Sequence, residues 1–188
     1  APRIDGLLDE DLWKRAAAAT DFVQISPDEG EPASEKTEAR AVYDDDALYI
    51  GVRAFDSDPE GILGQLTRRD QESFSDWVRV AIDSYNDQRT AFQFGVNPKG
   101  VKQDVYRYDD TRVDPDWDAV WDVETSIDEL GWTAEFRIPY SQLRFPAAED
   151  QTWGLQFTRS IARKSETAYW APRSTQDSGT VSRYGELR

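Results

Sequence analysis

The chain has 188 residues, 37 of them acidic and 22 basic, for a net charge of −15. That balance repels nucleic-acid phosphates and anionic lipid, but it is compatible with divalent cations and neutral ligands. The sequence contains no Cys, His or Met, which removes disulfides, thiol chemistry, His-based catalytic centres and the usual haem ligands.

No apolar run approaches a membrane span, so direct membrane insertion is not expected. The length suits a single β domain over residues 1–188. Beginning at Ala1, the chain reads as a trimmed or excised piece.

In chain order, Ile4-Asp5-Gly6 opens a short strand or turn. Asp9 reads as the N-cap of a brief helix through Leu12, Trp13 and Ala16, with Lys14 and Arg15 late, as the helix dipole favours. A strand over 22–25 precedes a loop over 26–36 rich in Pro, Gly and Glu. Strand 38–43 then turns at Asp44-Asp45-Asp46 into one with Leu48, Ile50, Val52 and Ala54 inward, ended by Asp56 to Gly61. Residues 62–67 fit strand or helix equally.

The stretch 75–100 carries the strongest pattern. Val78, Val80 and Ile82 alternate with Trp77, Arg79, Ala81 and Asp83, and Phe92, Phe94 and Val96 alternate with Ala91, Gln93 and Gly95. The polar run 84–89 is the hairpin loop, and Asn97-Pro98-Lys99-Gly100 is a type I turn. One face of this hairpin belongs to a core. The other holds Arg79, Asp83 and Gln93 among residues small enough to admit a ligand or a second layer.

A strand over 101–108 leads to an acidic loop over 109–118. A hairpin of 120–126 and 132–138 follows, with Trp132, Ala134, Phe136 and Ile138 inward and Thr133, Glu135 and Arg137 outward. Trp153, Leu155 and Phe157 mark another core face, opposite Gly154, Gln156 and Thr158. About ten short strands at this spacing predict an all-β fold, a two-sheet antiparallel β-sandwich with one or two short helices.

For chemistry, no nucleophile elbow, phosphate loop or metal-hydrolase helix is present, and paired acids such as Asp109/Asp110 arise by chance in so acidic a chain. A non-catalytic module is expected. Structural Ca2+ takes six to eight oxygen ligands from turns; Asp56 and Asp58 at a strand end, and Asp70 and Asp76 flanking the loop into the hairpin, are the candidate ligands. Turn capping accounts for the same aspartates without an ion. For a ligand, Arg79 and Gln93 offer donors, and the loop residues Trp117 and Trp170 offer flat faces for stacking on a sugar. The alternatives are that these rings plug the sandwich ends, and that Arg79 pairs with Glu135 or Asp83.

The order of motifs resembles the family-nine carbohydrate-binding modules: Ile4-Asp5-Gly6 with Asp9-Glu10 and Trp13, Val42-Tyr43-Asp44-Asp45 with Leu48-Tyr49-Ile50, Asp56, Asp76 to Asp83, and Tyr184-Gly185-Glu186-Leu187. More closely, RRDQ, SDWV, DSYND, FGVNP, GWTAEFRIPYSQLRF and WGLQF resemble the N-terminal module of large bacterial outer-membrane proteins, where it precedes a predicted β-barrel region. The resemblance implies a jelly-roll-like, DOMON-like sandwich, often with structural calcium. It further implies a partner oligosaccharide or polysaccharide, a barrel region in the parent protein and a periplasmic or extracellular place at the outer membrane. A structural or docking domain without sugar binding is the alternative. A haem-binding electron carrier of the wider superfamily is a further alternative, and the missing His and Met argue against haem. The family's two sugar-stacking Trp positions fall near Ser73 and Ser178, its sugar-binding Glu on Arg79 and an Arg near Gly95. The usual clamp is therefore not retained, and Arg79 tilts the expectation towards acidic sugars.

Overall fold

The computed structural model describes residues 1–147 and 150–188. It contains one short α-helix, α1 (Asp11–Arg15), and thirteen strands: β1 (Ala18–Ala19), β2 (Val23–Ser26), β3 (Thr37–Tyr43), β4 (Ala47–Phe55), β5 (Trp77–Asp83), β6 (Ala91–Val96), β7 (Lys102–Tyr108), β8 (Arg112–Asp114), β9 (Asp122–Asp128), β10 (Gly131–Pro139), β11 (Trp153–Ile161), β12 (Glu166–Tyr169) and β13 (Gly185–Leu187). They form a five-stranded sheet, β1-β3-β4-β10-β9, and an eight-stranded sheet, β2-β12-β11-β5-β6-β7-β8, to which β13 adds beside β11. Every strand pairing is antiparallel. The expected two-sheet sandwich is the fold.

Alternation builds the core. Across the larger sheet the register sets Phe157 beside Val80 and Val80 beside Phe94, then Leu155 beside Ile82 and Ile82 beside Phe92. Across the smaller sheet Phe136 pairs with Ile50, Ile138 with Leu48 and Trp132 with Ala54. All of these are buried in one cluster between the sheets. Trp121 joins the layers, its ring stacked on Phe136 at 5.7 Å and edge-on to Phe94 at 5.3 Å.

Local differences from the sequence reading have identifiable causes. The helix cap is Glu10 rather than Asp9, and it makes no side-chain cap bond, because its carboxylate instead accepts the Arg3 N–H at 3.0 Å. Residues 62–67 form neither helix nor strand. Their carbonyls are tied to the central hairpin, Leu63 accepting the Asp76 N–H and Gln65 the Asn97 side-chain amide. The turn at Asn97 forms as expected, with the Gly100 N–H on the Asn97 carbonyl at 2.9 Å and Gly100 at φ 75°. The acidic loop after β7 contains β8.

Glu135 does face away from the sandwich core, yet it is completely buried. The N-terminal segment folds over it: one carboxylate oxygen accepts the backbone N–H groups of Asp5 and Gly6 at 3.0 and 3.1 Å, and the other accepts Trp13 Nε1 at 3.0 Å. Trp13 packs in a second small cluster with Ala47 and Tyr49.

Candidate functional site

The polar face of the larger sheet is built by the residues that alternate with the core. Register places Thr158, Arg79, Gly95 and Gln103 in one row across β11, β5, β6 and β7, and Gln156, Ala81, Gln93 and Val105 in the next. A hollow of about 30 Å³ opens here, lined by Arg79, Ala81, Gln93, Arg107, Gln156, Thr158, Tyr169, Arg173, Thr180 and Tyr184. Its floor is small where it must be. A Cβ on Gly95 would lie 3.0 Å from Arg79 Cγ, so glycine lets the arginine stem lie across the neighbouring strand.

Neutral groups hold the cations in place. Arg79 donates from Nε to Gln103 Oε1 at 3.1 Å and from one terminal nitrogen to Ser160 Oγ at 3.4 Å, with its guanidinium 5.0 Å from the centre of the Trp77 ring. Arg107 donates twice to Gln93 Oε1, at 3.0 and 2.9 Å, which fixes that amide's orientation. Arg173 lies over Tyr169 at 5.7 Å and donates to the Gly179 carbonyl at 3.2 Å. Burial pushes the Arg79 guanidinium below the usual arginine range, with Glu72 working against it. Burial also pushes the Tyr184 phenol up to about 12, so it stays neutral at physiological pH.

The segment that supplies Arg173 and Thr180 is pinned by Asp110. This carboxylate accepts the Thr180 and Ser182 N–H groups at 2.8 and 3.0 Å and the Ser182 hydroxyl at 2.9 Å.

Arg79 and Gln93 thus meet at one hollow, as their alternation implies. Arg79 pairs with neither expected carboxylate: Glu135 belongs to the other sheet and holds the N-terminal segment, and Asp83 accepts the Asp87 and Gln88 N–H groups of its own hairpin loop. Trp117 and Trp170 are corrections. Trp117 packs on the core residues Phe92 and Phe94 at 5.1 and 5.8 Å, and Trp170 on Phe157 at 5.9 Å. Both rings lie on the core side of the sheet, where they close the sandwich. The aromatic groups at the hollow are Tyr169 and Tyr184.

The model of the family described as carbohydrate family 9 binding domain-like matches residues 4–185. This chain belongs to that family. A family 9 carbohydrate-binding module from Caldicellulosiruptor kristjanssonii in complex with cellotriose superposes with a TM-score of 0.73 at 18% identity, covering 100% of this chain and 89% of that one. A module of the same family and organism in complex with glucose gives 0.72 at 19% identity, covering 100% and 91%. Among curated protein sequences no relative matches.

Family 9 resemblance also raised calcium. Asp56 receives both terminal nitrogens of Arg163, at 2.9 and 2.6 Å, and Arg159 lies 3.7 Å away. Buried Asp76 accepts the Ala162 N–H at 2.9 Å, while exposed Asp58 donates its N–H to Asp56. Two guanidiniums thus already neutralise Asp56, while the second oxygen of buried Asp76 has no hydrogen-bond partner among the described residues. Asp70 is elsewhere, its carboxylate within 4.8 Å of those of Asp104 and Asp118. There Arg69 already bonds Asp104 and Asp118, at 2.6 and 2.7 Å.

Sequence reading missed Arg107, Arg173, Tyr169 and Tyr184. Arg107 was reachable, since it shares parity with Gln103 and Val105 on β7. Arg173 was not, because residues 170–184 carry no period that places them over the sheet.

Proposed function

We propose that this family 9 domain is a non-catalytic carbohydrate-binding module that takes an oligosaccharide on the polar face of its larger sheet, at the hollow around Arg79. The observation that carries the reading is the hollow itself. Guanidinium, amide and hydroxyl groups converge there beside two tyrosines, at a place where the strands carry small residues. Sugar recognition combines such forked donors with an aromatic face. The cellotriose and glucose bound by similar modules support it.

The motifs shared with the N-terminal module of large outer-membrane proteins support a parent protein of the bacterial cell envelope. In that setting the domain sits on the periplasmic or extracellular side and passes polysaccharide fragments towards, or holds them beside, a barrel region. A glycan array followed by calorimetry on this chain tests the reading. Binding to a defined oligosaccharide that Arg79→Ala abolishes is the expected result. No binding to any glycan at millimolar concentration would make the domain a structural or docking unit of its parent.

A further inference from the structure

Among the described residues, the buried or half-buried arginines fall into two groups. Arg40, Arg53, Arg137, Arg159 and Arg163 each lie within 4.0 Å of a carboxylate. No such ion pair is found for Arg79, Arg107 or Arg173, and these are the three that line one hollow. None of the described lining residues is an Asp or Glu. In a chain with a net charge of −15, three clustered cations with no carboxylate in ion-pair contact are a costly arrangement to keep, even with the Glu72 charge acting on Arg79. A partly buried cation ordinarily finds a carboxylate.

The hydrogen bonds also leave donor capacity unused on the three guanidiniums. Arg79 uses Nε and one terminal nitrogen, Arg107 uses Nε and one terminal nitrogen, and Arg173 uses a single terminal nitrogen. Each guanidinium therefore keeps a terminal N–H group without a protein acceptor among the described residues. The buried Nε of Arg173 has none either. Size narrows the occupant. A water needs roughly 10–15 Å³ of such space, so 30 Å³ holds a head of two or three heavy atoms, while a ring must rest over the mouth.

We infer that the hollow receives the carboxylate of an acidic sugar unit, forked between the free guanidinium nitrogens of Arg79, Arg107 and Arg173. The inference rests on the sugar-binding reading above and names the ligand class of that site. A planar carboxylate matches the guanidinium fork in two parallel hydrogen bonds, which a neutral hydroxyl cannot do. The neutral phenol of Tyr184 adds a donor at the same rim.

Calorimetry at 150 mM NaCl separates the possibilities, with tri-galacturonate, cellotriose and a sulfated trisaccharide as probes. Charge-assisted bonds predict that tri-galacturonate binds at least about tenfold more tightly than cellotriose. Arg79→Gln and, on the rim, Arg173→Gln each remove that preference, whereas Arg53→Gln on the opposite sheet keeps it. Circular dichroism confirms that each variant is folded, and Arg173→Gln, at the edge of the site, keeps the test valid if Arg79→Gln does not fold. Equal binding of the neutral and acidic trisaccharides overturns the inference and leaves the sugar reading standing. Tighter binding of the sulfated probe overturns the carboxylate assignment. Binding of none of the three overturns both the inference and the reading on which it rests.

Discussion

Glu135→Gln is the substitution that tests how the N-terminal segment is held. The native carboxylate accepts three N–H groups in a fully buried place. Glutamine keeps the shape but replaces one acceptor oxygen with a donor. Its better orientation points the new NH2 at Trp13 Nε1 and keeps the oxygen on Asp5 and Gly6. That sets two buried donors against each other, the Trp13 indole N–H and the new amide, each unsatisfied at about 1–3 kcal/mol, and turns two charge-assisted bonds into neutral ones, losing about 1 kcal/mol each. Burial pushes the Glu135 carboxyl above the usual carboxylate range despite these donors, so removing its charge recovers part of the loss. The net expectation is a destabilisation of about 3–6 kcal/mol. Urea unfolding would show it as a lower midpoint with an unchanged slope, and hydrogen exchange would show Asp5 and Gly6 losing protection before the sandwich opens. A cost below about 0.5 kcal/mol with protection intact would mean that Glu135 is not the anchor.

Three further outcomes are expected. Asp110 is held below the usual carboxylate range because, against burial, the Ser182 and Thr180 N–H groups favour its charge. Its stabilisation is therefore present above an unfolded pKa of about 3.9 and lost as pH falls through the lower folded value, so the stability gap between native and Asp110→Asn should narrow below about pH 4, measured by melting across pH. Gly95→Ala places a Cβ 3.0 Å from Arg79 Cγ; the flexible stem gives way, so the melting temperature should move by less than about 2 °C while sugar affinity measured by calorimetry falls. With guanidiniums already on both aspartate clusters, calcium added after EDTA should shift the melting temperature by less than about 1 °C, whereas saturation at 100 times a dissociation constant would add about 2.7 kcal/mol and raise it by several degrees.

The sandwich was legible because alternation is a local signal that both sheets obey. Val78, Val80 and Ile82 needed only their own spacing to be placed inside, and Arg79 and Gln93 were then outside by parity. The site was legible only where strands build it. Trp117 and Trp170 misled because an aromatic side chain next to a loop carries no information about which side of the sheet it will cover; both were drawn to open ends of the core. Glu135 misled differently. Parity put it on the outer face correctly, but burial came from Gly6 and Trp13, more than a hundred residues away in the chain. Arg173 reaches the hollow on a segment tied down by Asp110 at Thr180 and Ser182 and by Glu29 at Ser174 and Thr175, and no pattern within 170–184 encodes such partners.

The Asp110 anchor has a consequence for the thermodynamics of recognition. A wall segment that a fixed carboxylate has already ordered during folding does not have to be ordered again when a ligand arrives. Loops that close on their ligand give up conformational freedom at that moment, at about 0.5–1.5 kcal/mol per immobilised side chain. In this domain the Arg173 segment has surrendered that freedom beforehand, so a small hollow with few contacts can still bind selectively. Its association should be quick and free of a slow closing step, with the free and bound conformations nearly the same.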